Sequence, residues 1–281
     1  MKFLNSRPIG VYDSGVGGLT VVREISSKLP WERVVYFGDT ARVPYGEKTA
    51  RDLLGFSREI IEFLIGQDSK YIIAACNTTA SQVLDDVKKE FDIPIIGVLR
   101  PGAYAASRAT RTGRIGVIAT VGTTRSAAYE KTIKEYVPDA KVFNVACPEL
   151  VPLIERGDLN SAETIRVLHY YLDPLMEEDI DVLVLGCTHY PYLIEHIARI
   201  TGPHVEIVDP ATETVTATAA VLQELGLQSQ EKSGQHEFAV SGDPMRFATV
   251  GRKLLGDSLT GVRQVNLSDE RAKMSAGNRG I

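Results

Sequence analysis

A chain of 281 residues, 44% hydrophobic and 24% charged, can hold one large core or two modest ones of roughly 100 to 140 residues. A net charge of −5 argues against a nucleic-acid binder, and no basic stretch marks a membrane surface. No apolar segment is long enough to span a bilayer, and three cysteines without close spacing make neither a disulfide framework nor a zinc site.

In chain order, "PIGVYDSG" predicts a strand and turn, "GGLTVVREISSKLP" a helix ended by Pro30, and "RVVYFGDT" a second strand. In "KTARDLLGFSREIIEFLIGQ", Leu53, Leu54, Ile60, Ile61 and Leu64 recur at helical spacing. The strand "KYIIAAC", the helix "ASQVLDDVKKEFD" and the strand "IPIIGV" complete a first half. After the connection "RPGAYAASRATRTG" the pattern restarts with strand "RIGVIAT", helix "TTRSAAYEKTIKEYVP" and strand "KVFNVAC". The helix "SAETIRVLHYYLDPLMEED", strand "DVLVLGC", helix "YLIEHIARITG" and strand "VEIVDP" come next. The helix "ETVTATAAVLQELGL" turns back toward the first half, then come a strand "HEFAVSG", a helix "PMRFATVGRKLLG" and a polar tail.

Unbroken Val, Ile and Ala runs in β-α-β order predict parallel sheets covered on both faces. The expected fold is α/β, with 1–98 plus 212–267 as a first domain, 99–211 as a second, and 268–281 as a disordered tail. The amino-terminal "MKFLNSRPIG" lacks the apolar stretch of a secretory signal, so a cytoplasmic protein with reduced thiols is expected.

Ligands of open parallel sheets bind beyond the carboxyl ends of the strands. There the first half offers Asp13-Ser14, Gly38-Asp39-Thr40 and Cys76-Asn77-Thr78; the second offers Thr120 through Thr124 and Cys187-Thr188-His189. The glycines of "DSGVGG" invite comparison with a phosphate loop, but the segment is neither G-x-G-x-x-G nor a Walker loop. A lone cysteine is ordinarily a small buried hydrophobe, and Cys147 keeps that assignment. Cys76 and Cys187 differ, because hydroxyl, amide or imidazole groups come directly after each of them.

Two thiols on opposite walls of one cleft suit inversion of a C–H stereocentre, one thiolate removing the proton while one thiol returns it to the other face. A redox pair and a Cys–His nucleophile are the alternatives. The first lacks C-x-x-C spacing, and the second places its partners only two positions apart.

"GVYDSGVGGLTV", "YFGDTARVPYG", "ACNTTAS" and "GCTHYP", in this order, resemble the cofactor-independent glutamate racemases, over about positions 8 to 255. The resemblance implies two similar parallel-sheet α/β domains related by pseudo-twofold symmetry, with the active site in the cleft between them. It implies interconversion of L- and D-glutamate without pyridoxal phosphate or metal, supplying D-glutamate for peptidoglycan. By the same likeness Cys76 takes the α-proton of the D-enantiomer and Cys187 that of the L-enantiomer. Asp13, Ser14, Tyr45, Gly46, Asn77, Thr78, Thr188 and His189 match the substrate-binding pairs, with Thr120 and Thr123 adding hydroxyls. Asp13, His189 and Glu155 are candidates to assist the thiols. His189 and Tyr45 favour glutamate over aspartate, whose racemization is the runner-up activity. A non-catalytic acid-binding protein is a further alternative. Relatives commonly pair in differing arrangements, so a homodimer is expected, with no nucleic-acid or membrane partner required.

Overall fold

The computed structural model describes residues 6–231 and 234–270. Its first part runs β1 (Ile9–Asp13), α1 (Leu19–Lys28), β2 (Val34–Gly38), α2 (Ala50–Gly66), β3 (Tyr71–Ala74), α3 (Asn77–Gln82), α4 (Leu84–Val87) and β4 (Ile95–Gly97). Then come α5 (Leu99–Ala109), β5 (Arg114–Ala119), α6 (Val121–Ser126), α7 (Ala128–Tyr136), β6 (Lys141–Ala146) and α8 (Leu150–Glu155). The chain continues through α9 (Ala162–Met176), β7 (Val182–Gly186), α10 (Ile194–Thr201), β8 (Glu206–Val208) and α11 (Pro210–Glu224). It closes with β9 (Glu237–Val240), α12 (Pro244–Leu255) and β10 (Arg263–Gln264).

Two sheets form, ordered β10-β9-β2-β1-β3-β4 and β6-β5-β7-β8, and every pairing is parallel. Strands β1, β2 and β7 are buried along their whole length, as expected where helices cover both faces of a sheet. The order β2-β1-β3-β4 repeats as β6-β5-β7-β8, so the third strand of each set sits beside the first. Cys76 lies two residues beyond one of these third strands, and Cys187 lies directly beyond the other.

Several local outcomes differ from the sequence pattern. "RPGAYAASRA" is not a connection but most of helix α5, because Pro101 falls in the first turn, where backbone N–H groups need no intrahelical acceptor. The helix expected over "ASQVLDDVKKEFD" starts earlier, at Asn77, and breaks at Val83, whose φ is −136°. The next one breaks at Ala127, held in the left-handed region with φ 52°. The short helix α8 and strand β10 carried no recognisable signal. Of the tail expected over 268–281, positions 271–281 lie outside the described residues, and 267–270 form a helical turn. Among the described residues no helix is long and apolar enough to cross a membrane.

One buried ion pair fastens the returning segment to the first sheet. Lys70 Nζ lies 2.6 Å from Glu32 Oε2, with side-chain exposures of 0% and 3%. Ser229 donates to Glu32 from its backbone N–H at 2.8 Å and its hydroxyl at 3.0 Å. Removing one member strands the other charge out of water. Glu32→Ala is therefore expected to cost about 3 to 5 kcal/mol in denaturant unfolding.

Candidate active site

The carboxyl ends of both sheets open on one cavity. Ser14, Tyr45, Gly46, Cys76, Asn77 and Thr78 line it from the first sheet's side, and Thr120, Cys187, Thr188 and His189 from the second. Glu47, Cys147, Pro148 and Val151 also face it, residues that motif matching passed over except for Cys147. The space left to water is about 30 Å³, so the walls are close together. No lysine or arginine is among the lining residues. Acidic ligands would meet hydroxyls, amides and helix-start N–H groups, with His189 as the one basic side chain among the lining residues.

Asp13, Thr123 and Glu155 stand behind this wall. Asp13 ends β1 fully buried, and its carboxylate accepts from Gly15 N–H at 3.0 Å and from the Thr188 hydroxyl at 3.0 Å. That second bond ties the two halves together. Burial pushes the Asp13 carboxyl above its ordinary value, although His189 and these hydrogen bonds oppose the rise. The hydroxyls of Thr78 and Thr120 meet across the halves at 2.9 Å. Thr120 caps α6, its hydroxyl taking the Thr123 N–H, and donates onward to the Thr123 hydroxyl at 3.1 Å. Tyr45 lines the cavity, but its own hydroxyl donates to Asp39, which Arg42 also contacts at 2.6 Å. Its hydroxyl hydrogen is thus already engaged, which leaves the ring, the backbone and the phenol oxygen as an acceptor.

The two thiols have different surroundings. Cys76 is 4% exposed, at the start of α3. Burial, and next the charge of Asp13, push its thiol up to about 12. Cys187 Sγ instead lies 3.7 Å from His189 Nδ1. The other ring nitrogen, Nε2, is 2.7 Å from Glu155 Oε1, and the same oxygen accepts the Val16 N–H at 3.1 Å. Burial pulls His189 down, yet hydrogen bonds to Cys187 and Glu155 prevail and hold it well above an ordinary imidazole. Glu155, which burial pushes up, is brought below its ordinary value by His189.

This corner tolerates no extra atoms. A Cβ on Gly17 would stand 2.4 Å from the Thr188 hydroxyl oxygen and 2.6 Å from His189 Nδ1. On Gly15 it would stand 2.0 Å from Glu155 Oε1. Cys147, fully buried, also borders the cavity, and burial pushes its thiol up so that it stays protonated. Its Sγ–H donates to the Val145 carbonyl at 3.6 Å. Cys147→Ser is expected to keep turnover within about threefold in steady-state kinetics, since its thiol is held protonated by burial and is given no part in the proton transfer.

Comparison with known proteins agrees with this geometry. A glutamate racemase of Synechocystis is 47% identical over 248 residues, 88% of each chain. The crystal structure of a glutamate racemase isoform from Bacillus anthracis superposes with a TM-score of 0.89 at 40% identity, covering 94% of this chain and 98% of that one. A glutamate racemase from Francisella tularensis, solved in complex with D-glutamate, gives 0.87 at 36% identity, covering 94% and 99%. The family model for Asp/Glu/hydantoin racemases matches residues 18–218, and the chain belongs to that family.

Proposed function

We propose that this protein interconverts L- and D-glutamate, with Cys76 and Cys187 as the two bases and no cofactor. The observation that carries it is the pair of strand-end thiols, at corresponding places in two like-ordered sheets, opening into one cavity. The D-glutamate complex of the Francisella relative supports the substrate.

With L-glutamate bound, the Cys187 thiolate takes the α-proton. The electron pair left at carbon is shared with the adjacent carboxylate. The Cys76 thiol then delivers its proton to the opposite face, giving D-glutamate. Cys187 ends protonated and Cys76 ionised, and the reverse reaction starts from that state. His189 holds the counter-charge beside Cys187, and Asp13 favours the protonated form of Cys76. Asn77, Thr78 and Thr188 supply uncharged contacts for the substrate's carboxylates and ammonium, together with Ser14 and the backbone at Gly46. Thr120 and Thr123 extend the hydroxyl cluster.

The same proposal assigns residues 1–98 with 212–267 to one domain and 99–211 to the other, in keeping with the two sheets. Supply of D-glutamate to peptidoglycan by a cytoplasmic homodimer is its physiological extension. Rescue of a D-glutamate auxotroph, together with sedimentation of the purified protein, tests that part.

The resting protonation favours one enantiomer. With Cys76 held protonated, the form that receives D-glutamate is scarce, which weakens its apparent binding by the competent fraction. KM for D-glutamate is therefore expected to exceed that for L-glutamate. The enantiomers have equal free energy, so kcat must be larger from D in the same ratio. Equal KM values across pH 7 to 9 would count against the assignment of Cys76 as the protonated partner.

The deciding experiment is α-proton exchange in D2O, read by NMR, for each enantiomer of glutamate and aspartate with no cofactor added. Deuterium entering glutamate as its mirror image accumulates supports cofactor-free inversion. Exchange with aspartate alone keeps the chemistry and replaces the substrate. Absence of exchange with all four leaves a binding or redox role for the thiols.

A further inference from the structure

Tyr129 touches the neighbours of both thiols without lining the cavity itself. It stands two residues beyond the left-handed Ala127, in the first turn of α7, and is 1% exposed. Its phenol donates to Asn77 Oδ1 at 2.6 Å. Asn77 comes directly after Cys76. On the other side, a Cβ on Gly186 would stand 3.2 Å from the Tyr129 ring, and Gly186 directly precedes Cys187. A Cβ on Gly102 of α5 would stand 3.2 Å from the hydroxyl, so the ring is wedged in place.

The hydrogen bond also decides which way Asn77 faces. Asn77 is 2% exposed and borders the cavity, and its Nδ2 has no partner among the described residues. Turning the amide over would aim N–H groups at the phenol oxygen and leave the phenol hydrogen without this acceptor in a buried place. With Oδ1 committed to Tyr129, both amide hydrogens are free for an acceptor in the cleft.

We propose that Tyr129 is a positioning residue. It sets the distance between the segments carrying Cys76 and Cys187, and it presents the Asn77 amide to a substrate carboxylate. This role rests on the two-thiol proposal above, and separate measurements distinguish their failures. Wild-type protein without racemization would remove the two-thiol chemistry. Variants at position 129, compared with an active wild type, bear on Tyr129 alone.

Tyr129→Phe keeps the ring against Gly186 and deletes the hydroxyl alone. It is expected to lower kcat/KM for racemization about tenfold, as small displacements of reacting groups do, while the melting temperature moves by only a few degrees. In an Asn77→Ala background the same change should have no further effect, because the hydroxyl acts through Asn77. 4-Aminophenylalanine at position 129 retains a donor and should restore the rate to within about threefold of wild type. Overturning results are a Tyr129→Phe rate within twofold of wild type, additive losses in the double variant, or a folded 4-aminophenylalanine protein as slow as the phenylalanine one. Should Tyr129→Phe not fold, the 4-aminophenylalanine protein decides by itself. An active one supports the role, and a folded, slow one ends it.

Discussion

Cys76→Ser and Cys187→Ser are each expected to lower racemization by about three orders of magnitude, because a serine hydroxyl neither ionises nor returns a proton at neutral pH as a thiol does. The losses are equal from either enantiomer in kcat/KM, since the enantiomers are isoenergetic and any catalyst must respect that. The difference between the thiols appears in exchange. Cys76→Ser retains Cys187, which still removes the α-proton of L-glutamate and hands back deuterium to the same face. L-glutamate should therefore wash in deuterium without inverting, while D-glutamate stays protonated. Cys187→Ser should show the converse. NMR in D2O, with chiral analysis of the product, reads both. Exchange of both enantiomers by either single variant would mean that one base serves both faces.

His189→Asn should be the next most damaging change, lowering kcat/KM about a hundredfold. It removes the cation 3.7 Å from Cys187 Sγ and leaves the partly buried Glu155 with the Val16 N–H but no counter-charge from His189. The pH dependence of stability gives an independent check, with signs set by linkage. His189 is raised in the folded protein, so its contribution is complete below the ordinary value of about 6.5 and disappears as pH rises through the folded one. Glu155 is lowered from 4.5, so its share is present above that value and vanishes as pH falls through the folded one. Wild type should thus lose stability relative to His189→Asn at both ends of the range. Parallel unfolding curves for the two proteins from pH 3 to 10 would show that the imidazole and carboxylate do not share a charge.

Much of this arrangement is written in short-range pattern. Runs such as "VLVLG" have no polar residue to place on a wet face, so they must be interior strands, and the residues just beyond them stand at a sheet end. That places Cys76 and Cys187 without any knowledge of packing. Glu155 was reachable only through resemblance, because α8 is six residues long with a proline inside it and has no periodicity to detect. Tyr129 gave no local sign. Its partners come from 52 positions upstream, and from Gly186 and Gly102 on other elements, so only the assembled fold brings them together. The Asp39–Tyr45 contact, only six positions apart, escaped because it depends on the conformation of an irregular loop that has no periodicity to detect. Helix α5 was hidden by Pro101 and Gly102, residues that usually mark a turn and here fit a helix start.

The chain passes between the sheets twice, once through α5 and once through α11, and these two helices pack against each other. They meet at Gly102, where a Cβ would stand 2.8 Å from the Pro210 side chain. The halves are therefore joined at two chain passages that brace each other rather than at one. Two braced passages resist rotation of one half about the other. The cavity between the walls leaves about 30 Å³ to water, so this joint bears directly on how closely the two sheet ends stand.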